Sequence, residues 1–86
     1  MASYSLEIKR SAAKELAQLP TKDRGRVIVR IQALAADPRP SGAEKLSGQE
    51  RYRVRQGDYR ILYEIEDQVL RVIVVKIGHR RDVYRA

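Results

Sequence analysis

The spacing of apolar residues changes along the 86-residue chain, and each change marks an element. Tyr4, Leu6 and Ile8 alternate with polar residues, a pattern that predicts a strand with one buried face. From Ser11 the apolar residues recur at helical spacing until Pro20, which cannot continue a helix. The first two elements are therefore predicted to be a strand and a short helix, with Ser11 as the candidate cap.

A second amphipathic helix is predicted to follow Pro20. Thr21 is the candidate N-cap, and apolar residues between Val27 and Ala35 recur at helical spacing. The proline-rich stretch at residues 37–42 ends this helix and is predicted to open a loop that runs to about Gln49.

Strand alternation returns after the loop, where three arginines alternate with Tyr52 and Val54. Residues 56–58 predict a turn into a second alternating segment, residues 59–65. Because two alternating segments are joined by such a short turn, they are predicted to form a β-hairpin.

The next segment, residues 69–77, is almost continuously apolar, as expected of a central strand buried on both faces, and Gly78 is predicted to end it. The order of elements is then strand, helix, helix, strand, strand, strand. It predicts a single α+β domain spanning residues 1–86, in which both helices pack on one face of a mostly antiparallel sheet. The other face of the sheet is left for function.

The composition points to an anionic partner. Thirteen arginines and five lysines stand against eleven acidic residues, which gives a formal net charge of +7. Attraction to a polyanion or to an acidic protein is expected, although a solvated basic surface with no specific partner would have the same charge. With no cysteine and no apolar run of roughly 18 residues, we expect a cytoplasmic protein with no membrane partner.

The arginines of the hairpin are predicted to share one surface. Since side chains alternate across a strand, Arg53 and Arg55 must point away from the face of Tyr52 and Val54. Arg60 falls on the same side if the hairpin pairs in the obvious register. Like charges this close repel by on the order of a kcal/mol per pair at a wet surface, which a bound polyanion would relieve.

The segment from Gly78 to Arg85 adds further cations and an aromatic hydroxyl after the apolar strand. Tyr84 is placed to stack on an RNA base, as aromatic side chains do in single-strand recognition. The alternatives are structural: Tyr84 could instead pack on the edge of the core. The hairpin arginines could be ordinary solvent-facing residues that Glu64 and Glu66 partly compensate.

Two motifs, YRVRQGDYRILYEI at Tyr52–Ile65 and KIGHRRDVYR at Lys76–Arg85, together with EKLSG at Glu44–Gly48, resemble RelE-type toxins of the RelE/ParE superfamily. The resemblance covers essentially the whole chain. It implies a RelE-like fold and a microbial toxin of a type II toxin-antitoxin system. Such a toxin cleaves messenger RNA in the ribosomal decoding site, is silenced by a cognate antitoxin, and meets operator DNA only through that antitoxin.

The resemblance also implies roles for individual residues. The catalytic positions of the family match Arg53, Arg55, Arg60, Arg80 and Tyr84. This chain departs from the best-known pattern by having arginines where lysines stand at positions 53 and 55, and by a shorter spacing from Arg80 to Tyr84. Further residues expected to bind RNA are Arg51, Arg81, Arg85 and Lys45.

The departure at positions 53 and 55 bears on mechanism. A guanidinium, with a pKa above roughly 12, does not readily act as a general base, so these two arginines are expected to act electrostatically. His79 and Glu64 are the candidates for acid/base work, although a surface role for His79 and a salt bridge for Glu64 are the simpler interpretations. No spaced set of metal ligands and no cofactor motif is visible, so metal-free attack of the RNA 2′-hydroxyl is expected.

Two other functions fit the same pattern. One is inhibition of DNA gyrase by a ParE-like toxin, which shares the sheet and the hairpin but needs no nuclease site. The other is a non-enzymatic nucleic-acid-binding or co-repressor module, because a basic sheet face can hold phosphates without cutting them.

Overall fold

The computed structural model describes residues 3–46, 48 and 50–83, which form five strands and two helices. In chain order the elements are β1 (Ser5–Ile8), α1 (Arg10–Ala17), α2 (Thr21–Ala36), β2 (Glu44–Lys45), β3 (Arg51–Gln56), β4 (Tyr59–Glu66) and β5 (Arg71–His79). The strands form one sheet in the order β1-β5-β4-β3-β2. The β2–β3, β3–β4 and β4–β5 pairs are antiparallel, whereas β1 runs parallel to β5. The predicted α+β class and the mostly antiparallel sheet are confirmed.

Both helices pack on one face of the sheet, as predicted, because their apolar positions form a single stripe. Val27, Ile31 and Leu34 of α2 are almost completely buried. They form one core with Ala12 of α1 and with the inward residues of three strands, which are Val54, Ile61, Tyr63, Val72, Val74 and Ile77.

A bulge in β5 gives the other face of the sheet a small apolar cluster of its own. Leu62 lies opposite Lys76, but Tyr63 lies opposite Val74, so Val75 is an extra residue in β5. Val75 packs with Leu62 and Val83 in this second cluster. The prediction that β5 is buried on both faces is therefore confirmed, but the outer face is not left wholly to polar residues.

The ends of β5 differ from the prediction. The strand begins at Arg71, because Val69 and Leu70 belong to an exposed turn in which Leu70 has a φ of +52°. It continues through Gly78 to His79, since these two residues pair with the first residues of β4. The predicted start at Val69 and end at Gly78 were therefore wrong.

The predicted helix caps were also wrong. Thr21 is the first residue of α2 rather than its cap, and Pro20 occupies the N-cap position. Helix α1 starts at Arg10, one residue before Ser11, and neither helix has a side-chain hydrogen bond at its N-cap. The loop predicted up to about Gln49 contains the short strand β2, whose Glu44 pairs with Arg53.

A polar network joins the loop after α2 to the turn between β4 and β5. Arg39 donates to both carboxylate oxygens of Asp67 at 3.1 and 2.9 Å, and the Tyr4 hydroxyl donates to Asp67 at 2.7 Å. The Arg39 hydrogen bonds, followed by that of Tyr4, lower the pKa of Asp67 from about 3.8 to about 2. Arg39 also lies over the ring of Tyr52, with its Cζ 5.2 Å from the ring centre.

The same loop is fixed to the core by Tyr63. This side chain is fully buried, and its hydroxyl donates to the Pro38 carbonyl at 2.7 Å. Burial raises the pKa of Tyr63 to about 12, so the hydroxyl stays protonated and remains a donor. In the part of the chain that the structure describes, no helix is long and apolar enough to cross a bilayer.

Candidate nucleic-acid interface

The register of the hairpin sets its arginines in one row on the face opposite the helices. Val54 is fully buried on the helix side, so Arg53 and Arg55 point the other way. Directly across the ladder, Arg55 lies opposite Arg60 and Arg53 lies opposite Leu62. The shared surface predicted from alternation is therefore present, with Arg55 and Arg60 as immediate neighbours.

One carboxylate lies against the first two of these arginines. Glu44 of β2 is the cross-strand partner of Arg53 and accepts a short hydrogen bond from it. The other carboxylate oxygen of Glu44 is 4.0 Å from Nη2 of Arg55. The Arg53 side chain is only 17% exposed, whereas that of Arg55 is 61% exposed. In the described part of the chain, the Glu44 carboxylate thus faces both the Arg53 and the Arg55 guanidinium groups.

Arg60 is held at the end of the hairpin by backbone rather than by acid. Its Nη1 donates to the carbonyls of Gly57 and Tyr59 at 3.2 and 3.0 Å. Gly57 has a φ of +59°, a conformation that suits glycine at the first position of a tight hairpin turn. Among the described residues, no carboxylate lies within 4.0 Å of the Arg60 guanidinium.

Arg80 reaches the same turn from the end of β5. Its backbone N–H donates to the Asp58 carbonyl at 2.7 Å, and its Nε is 3.9 Å from the Asp58 carboxylate. Both Arg80 and Asp58 are exposed. Arg55, Arg60 and Arg80 therefore surround the Gly57–Asp58 turn, and we call these three residues the hairpin-end cluster.

His79 pairs with Tyr59 at the end of β5, so its side chain points to the helix side of the sheet, away from Arg60. Its ring meets Tyr59 edge to face with centres 5.9 Å apart, and its Nδ1 accepts the backbone N–H of Arg81 at 3.2 Å. The His79 carbonyl accepts the N–H groups of Asp82 and Val83, so the chain turns back over the sheet at this point. Because Nδ1 is occupied, Nε2 is the ring nitrogen left for a ligand or a proton transfer.

Two of the remaining predicted RNA contacts, Arg51 and Lys45, lie away from the hairpin-end cluster. Arg51 is opposite Glu64 and bonds to it at 3.2 Å, at the other end of β3. At about 3.3 Å per residue, the four-residue step from Arg55 to Arg51 is roughly 13 Å. Lys45 lies near Glu50 at 3.6 Å, and the Arg81 side chain is exposed beside Arg80. Glu64 is thus placed as a salt-bridge partner and not beside Arg60.

The compensating acids differ from those expected. Glu66 pairs with Arg71 at 2.6 Å and does not contact the hairpin arginines. Glu44 does contact the hairpin arginines. The sequence did not predict this contact, because a strand of two residues is too short to show an alternating pattern. The only signal was an acidic residue in the segment just before an arginine-rich strand. Tyr84 and Arg85 lie outside the described residues, and within those residues no three potential ligands from Asp, Glu and His come together.

Known proteins with similar sequence and fold are toxins. The model of the ParE toxin family of type II toxin-antitoxin systems matches residues 6–84. Toxin RelG of Mycobacterium tuberculosis is 29% identical over 95% of this chain and 97% of its own length. A chain of the M. tuberculosis toxin-antitoxin complex RelBE2 superposes with a TM-score of 0.84 at 26% identity, covering 95% of this chain and 97% of the other.

An archaeal relative gives the same result. A chain of the RelE-RelB complex from Pyrococcus horikoshii has a TM-score of 0.82 and 28% identity, over 98% of this chain and 99% of that one. Since the match extends over nearly the whole of both chains, it confirms the predicted RelE-like fold.

Proposed function

Because the chain belongs to the RelE/ParE toxins of type II toxin-antitoxin systems, we propose that it inhibits translation by cutting messenger RNA on the ribosome. Chains of RelE-type complexes are among its structural neighbours. Cleavage of RNA needs positively charged donors that can hold a phosphate. The hairpin-end cluster supplies such donors.

The single observation that carries the proposal is the convergence of Arg55, Arg60 and Arg80 on one turn. A fold gains nothing from placing two arginines directly across a strand pair, because like charges in that position repel. An RNA phosphate between them would turn the repulsion into charge-assisted hydrogen bonds. Arg60 is best suited to this role, since backbone carbonyls orient its guanidinium without neutralising it.

In the proposed reaction the RNA 2′-hydroxyl loses its proton and attacks the adjacent phosphorus. The bond from phosphorus to the 5′-oxygen breaks, and that oxygen takes up a proton. The products are a 2′,3′-cyclic phosphate and a 5′-hydroxyl. Arg60 and Arg80 stabilise the charge that builds on the phosphate oxygens, an effect of about 3 to 4 kcal/mol for each well-placed donor.

The other residues of the proposed site have supporting roles. Arg53 and Arg55 raise the local positive potential and guide the RNA backbone, since a guanidinium does not readily accept a proton at neutral pH. His79 is the proposed proton carrier through its Nε2, a role that requires its ring to leave Tyr59 and turn towards the outer face of the sheet. Tyr84 is proposed to stack on a base next to the cut.

A cognate antitoxin is the proposed protein partner. The RelBE2 and RelE-RelB relatives were each solved as toxin-antitoxin complexes. The net charge of +7 favours an antitoxin whose contacting segment is acidic or amphipathic. This segment is proposed to cover part of the sheet face that carries Arg53, Arg55 and Arg60, which we call the arginine face. Operator DNA would be met only through this antitoxin, and the complex is proposed to be cytoplasmic, with no membrane partner.

Inhibition of DNA gyrase is the second candidate function, because the family model that matches residues 6–84 bears the ParE name. Induced expression without antitoxin separates the two, since pulse labelling reports protein and DNA synthesis independently. We expect protein synthesis to stop first. An early stop in DNA synthesis with continued translation would overturn the nuclease proposal in favour of gyrase.

Product chemistry tests the mechanism directly. Ribosomes programmed with messenger RNA should yield fragments with a 2′,3′-cyclic phosphate and a 5′-hydroxyl. Cleavage should persist when EDTA is added after the toxin-ribosome complex has been trapped. Fragments with a 5′-phosphate and a 3′-hydroxyl would contradict 2′-hydroxyl attack.

A further inference from the structure

The contact between Glu44 and the hairpin arginines has the geometry of a bound anion. The two carboxylate oxygens of Glu44 face different guanidinium groups, one on Arg53 and the other 4.0 Å from Arg55. Non-bridging phosphate oxygens interact with paired arginines in the same divided way. The carboxylate therefore stands in for the phosphate that this surface would otherwise attract.

This contact follows from the register. In an antiparallel pair, directly opposed residues point to the same face, and Glu44 is opposed to Arg53. Arg55, two residues along β3, is the diagonal neighbour on that face. Any acidic side chain at position 44 would be drawn to both arginines.

The contact is also easily released. Strand β2 has only two residues and lies at an edge of the sheet, and the Glu44 side chain is 56% exposed. A change of side-chain rotamer would move the carboxylate into water without disturbing the pairing of β2 with β3. The charges of Arg53 and Arg55 would then no longer be offset by the Glu44 carboxylate.

We propose that Glu44 is an internal counter-anion that RNA must displace, so that it weakens the binding of free RNA to Arg53 and Arg55. This inference rests on the proposed function of the arginine face. Free single-stranded RNA, held mainly by phosphate contacts, would compete poorly with a carboxylate that is permanently attached. RNA presented in a fixed position on the ribosome would compete well, because its effective concentration at the site is high.

Binding of a short single-stranded RNA tests the inference. The RNA carries 2′-O-methyl groups, so that it cannot be cut, and its affinity is measured at several KCl concentrations. Glu44→Gln should bind about fivefold more tightly than the wild type at low salt, equivalent to about 1 kcal/mol. Because one further phosphate contact becomes available, the plot of log affinity against log salt should steepen by about 0.7.

Glu7→Gln is the matched control, since it removes the same charge from an exposed position on β1, at the opposite edge of the sheet. It should change affinity less than twofold. The gain from Glu44→Gln should also vanish when Arg53 and Arg55 are both replaced by Gln, because the carboxylate then has nothing to mask. An equal gain in the control, or a gain that persists without the two arginines, overturns the inference.

A measurement on the wild type covers the case in which the variant misfolds. Adding the same RNA should shift the Nε resonances of Arg53 and Arg55 and the carboxyl resonance of Glu44 together. A Glu44 resonance that stays fixed while the arginines shift would refute displacement. If the wild type cuts messenger RNA on ribosomes but Glu44→Gln binds the free RNA no more tightly, only this inference fails, whereas a wild type that cuts no messenger RNA on ribosomes removes the proposed function as well.

Discussion

Arg60→Ala is the substitution that separates catalysis from folding most clearly. Two hydrogen bonds to the carbonyls of Gly57 and Tyr59 would be lost, and each is worth about 0.5 to 1.5 kcal/mol. Both carbonyls lie close to the hairpin turn, so water can replace the guanidinium there. The substitution also removes the repulsion between Arg60 and Arg55, which stabilises the fold by on the order of a kcal/mol. The free energy of unfolding should therefore change by less than about 1 kcal/mol.

The effect on cleavage should be far larger. If Arg60 contacts the scissile phosphate in the transition state, its loss raises the barrier by about 3 kcal/mol, which lowers the rate at least a hundredfold. Arg60→Lys should also be poor, because an ammonium cannot reproduce two parallel N–H donors. The assay is single-turnover cleavage of messenger RNA on purified ribosomes, with thermal unfolding of each variant measured alongside.

Arg10→Ala provides the control for net charge. Arg10 is exposed at the start of α1, and among the described residues it has no carboxylate within 4.0 Å. It should cut at the wild-type rate. A folded Arg60→Ala protein that cleaves normally would refute the proposed role of Arg60. An equal loss of cleavage in Arg10→Ala would show that net charge and not the hairpin-end cluster drives the reaction.

Two further predictions concern the loop after α2. Tyr63→Phe should lower the free energy of unfolding by about 1.5 kcal/mol, because it leaves the Pro38 carbonyl without its buried donor. Tyr59→Phe, at a half-buried ring, should change the free energy of unfolding by less than about 0.5 kcal/mol. Equal losses for the two variants in urea unfolding would contradict this prediction. The lowered pKa of Asp67 means that its ionised form stabilises the fold fully above about pH 4, and that this contribution is lost as the pH falls towards about 2. The stability difference between wild type and Asp67→Asn should therefore shrink over that interval, and a constant difference would exclude the ion pair as its cause.

Much of the fold was predictable because its patterns are long. The alternation around Val54 and Ile61 predicted the hairpin, its register and the common face of Arg55 and Arg60, since burial on one side fixes both strands. The helices were predicted from apolar stripes such as that of Val27 and Leu34.

The rest depended on contacts that leave no periodic signal. Gly78 was predicted to end β5, but its backbone pairs with Arg60, and tertiary pairing overrides the weak preference of glycine against strands. The bulge at Val75 is set by the register between β4 and β5, which the sequence of β5 alone does not contain. Glu44 became a site residue only when its two-residue strand was seen beside Arg53.

The parallel pairing of β1 with β5 has a consequence for how the protein is made. Ser5 is matched to Arg71, which lies 66 positions later in the chain, so β1 has no strand partner until almost the whole sheet has emerged. Contacts between such distant segments form slowly, because a long loop must close before they can be made. The helices and the hairpin can form earlier from local contacts. During synthesis the protein should therefore pass through a stage in which the β3–β4 hairpin, with Arg53, Arg55 and Arg60 on one face, has formed but β1 is not yet paired with β5.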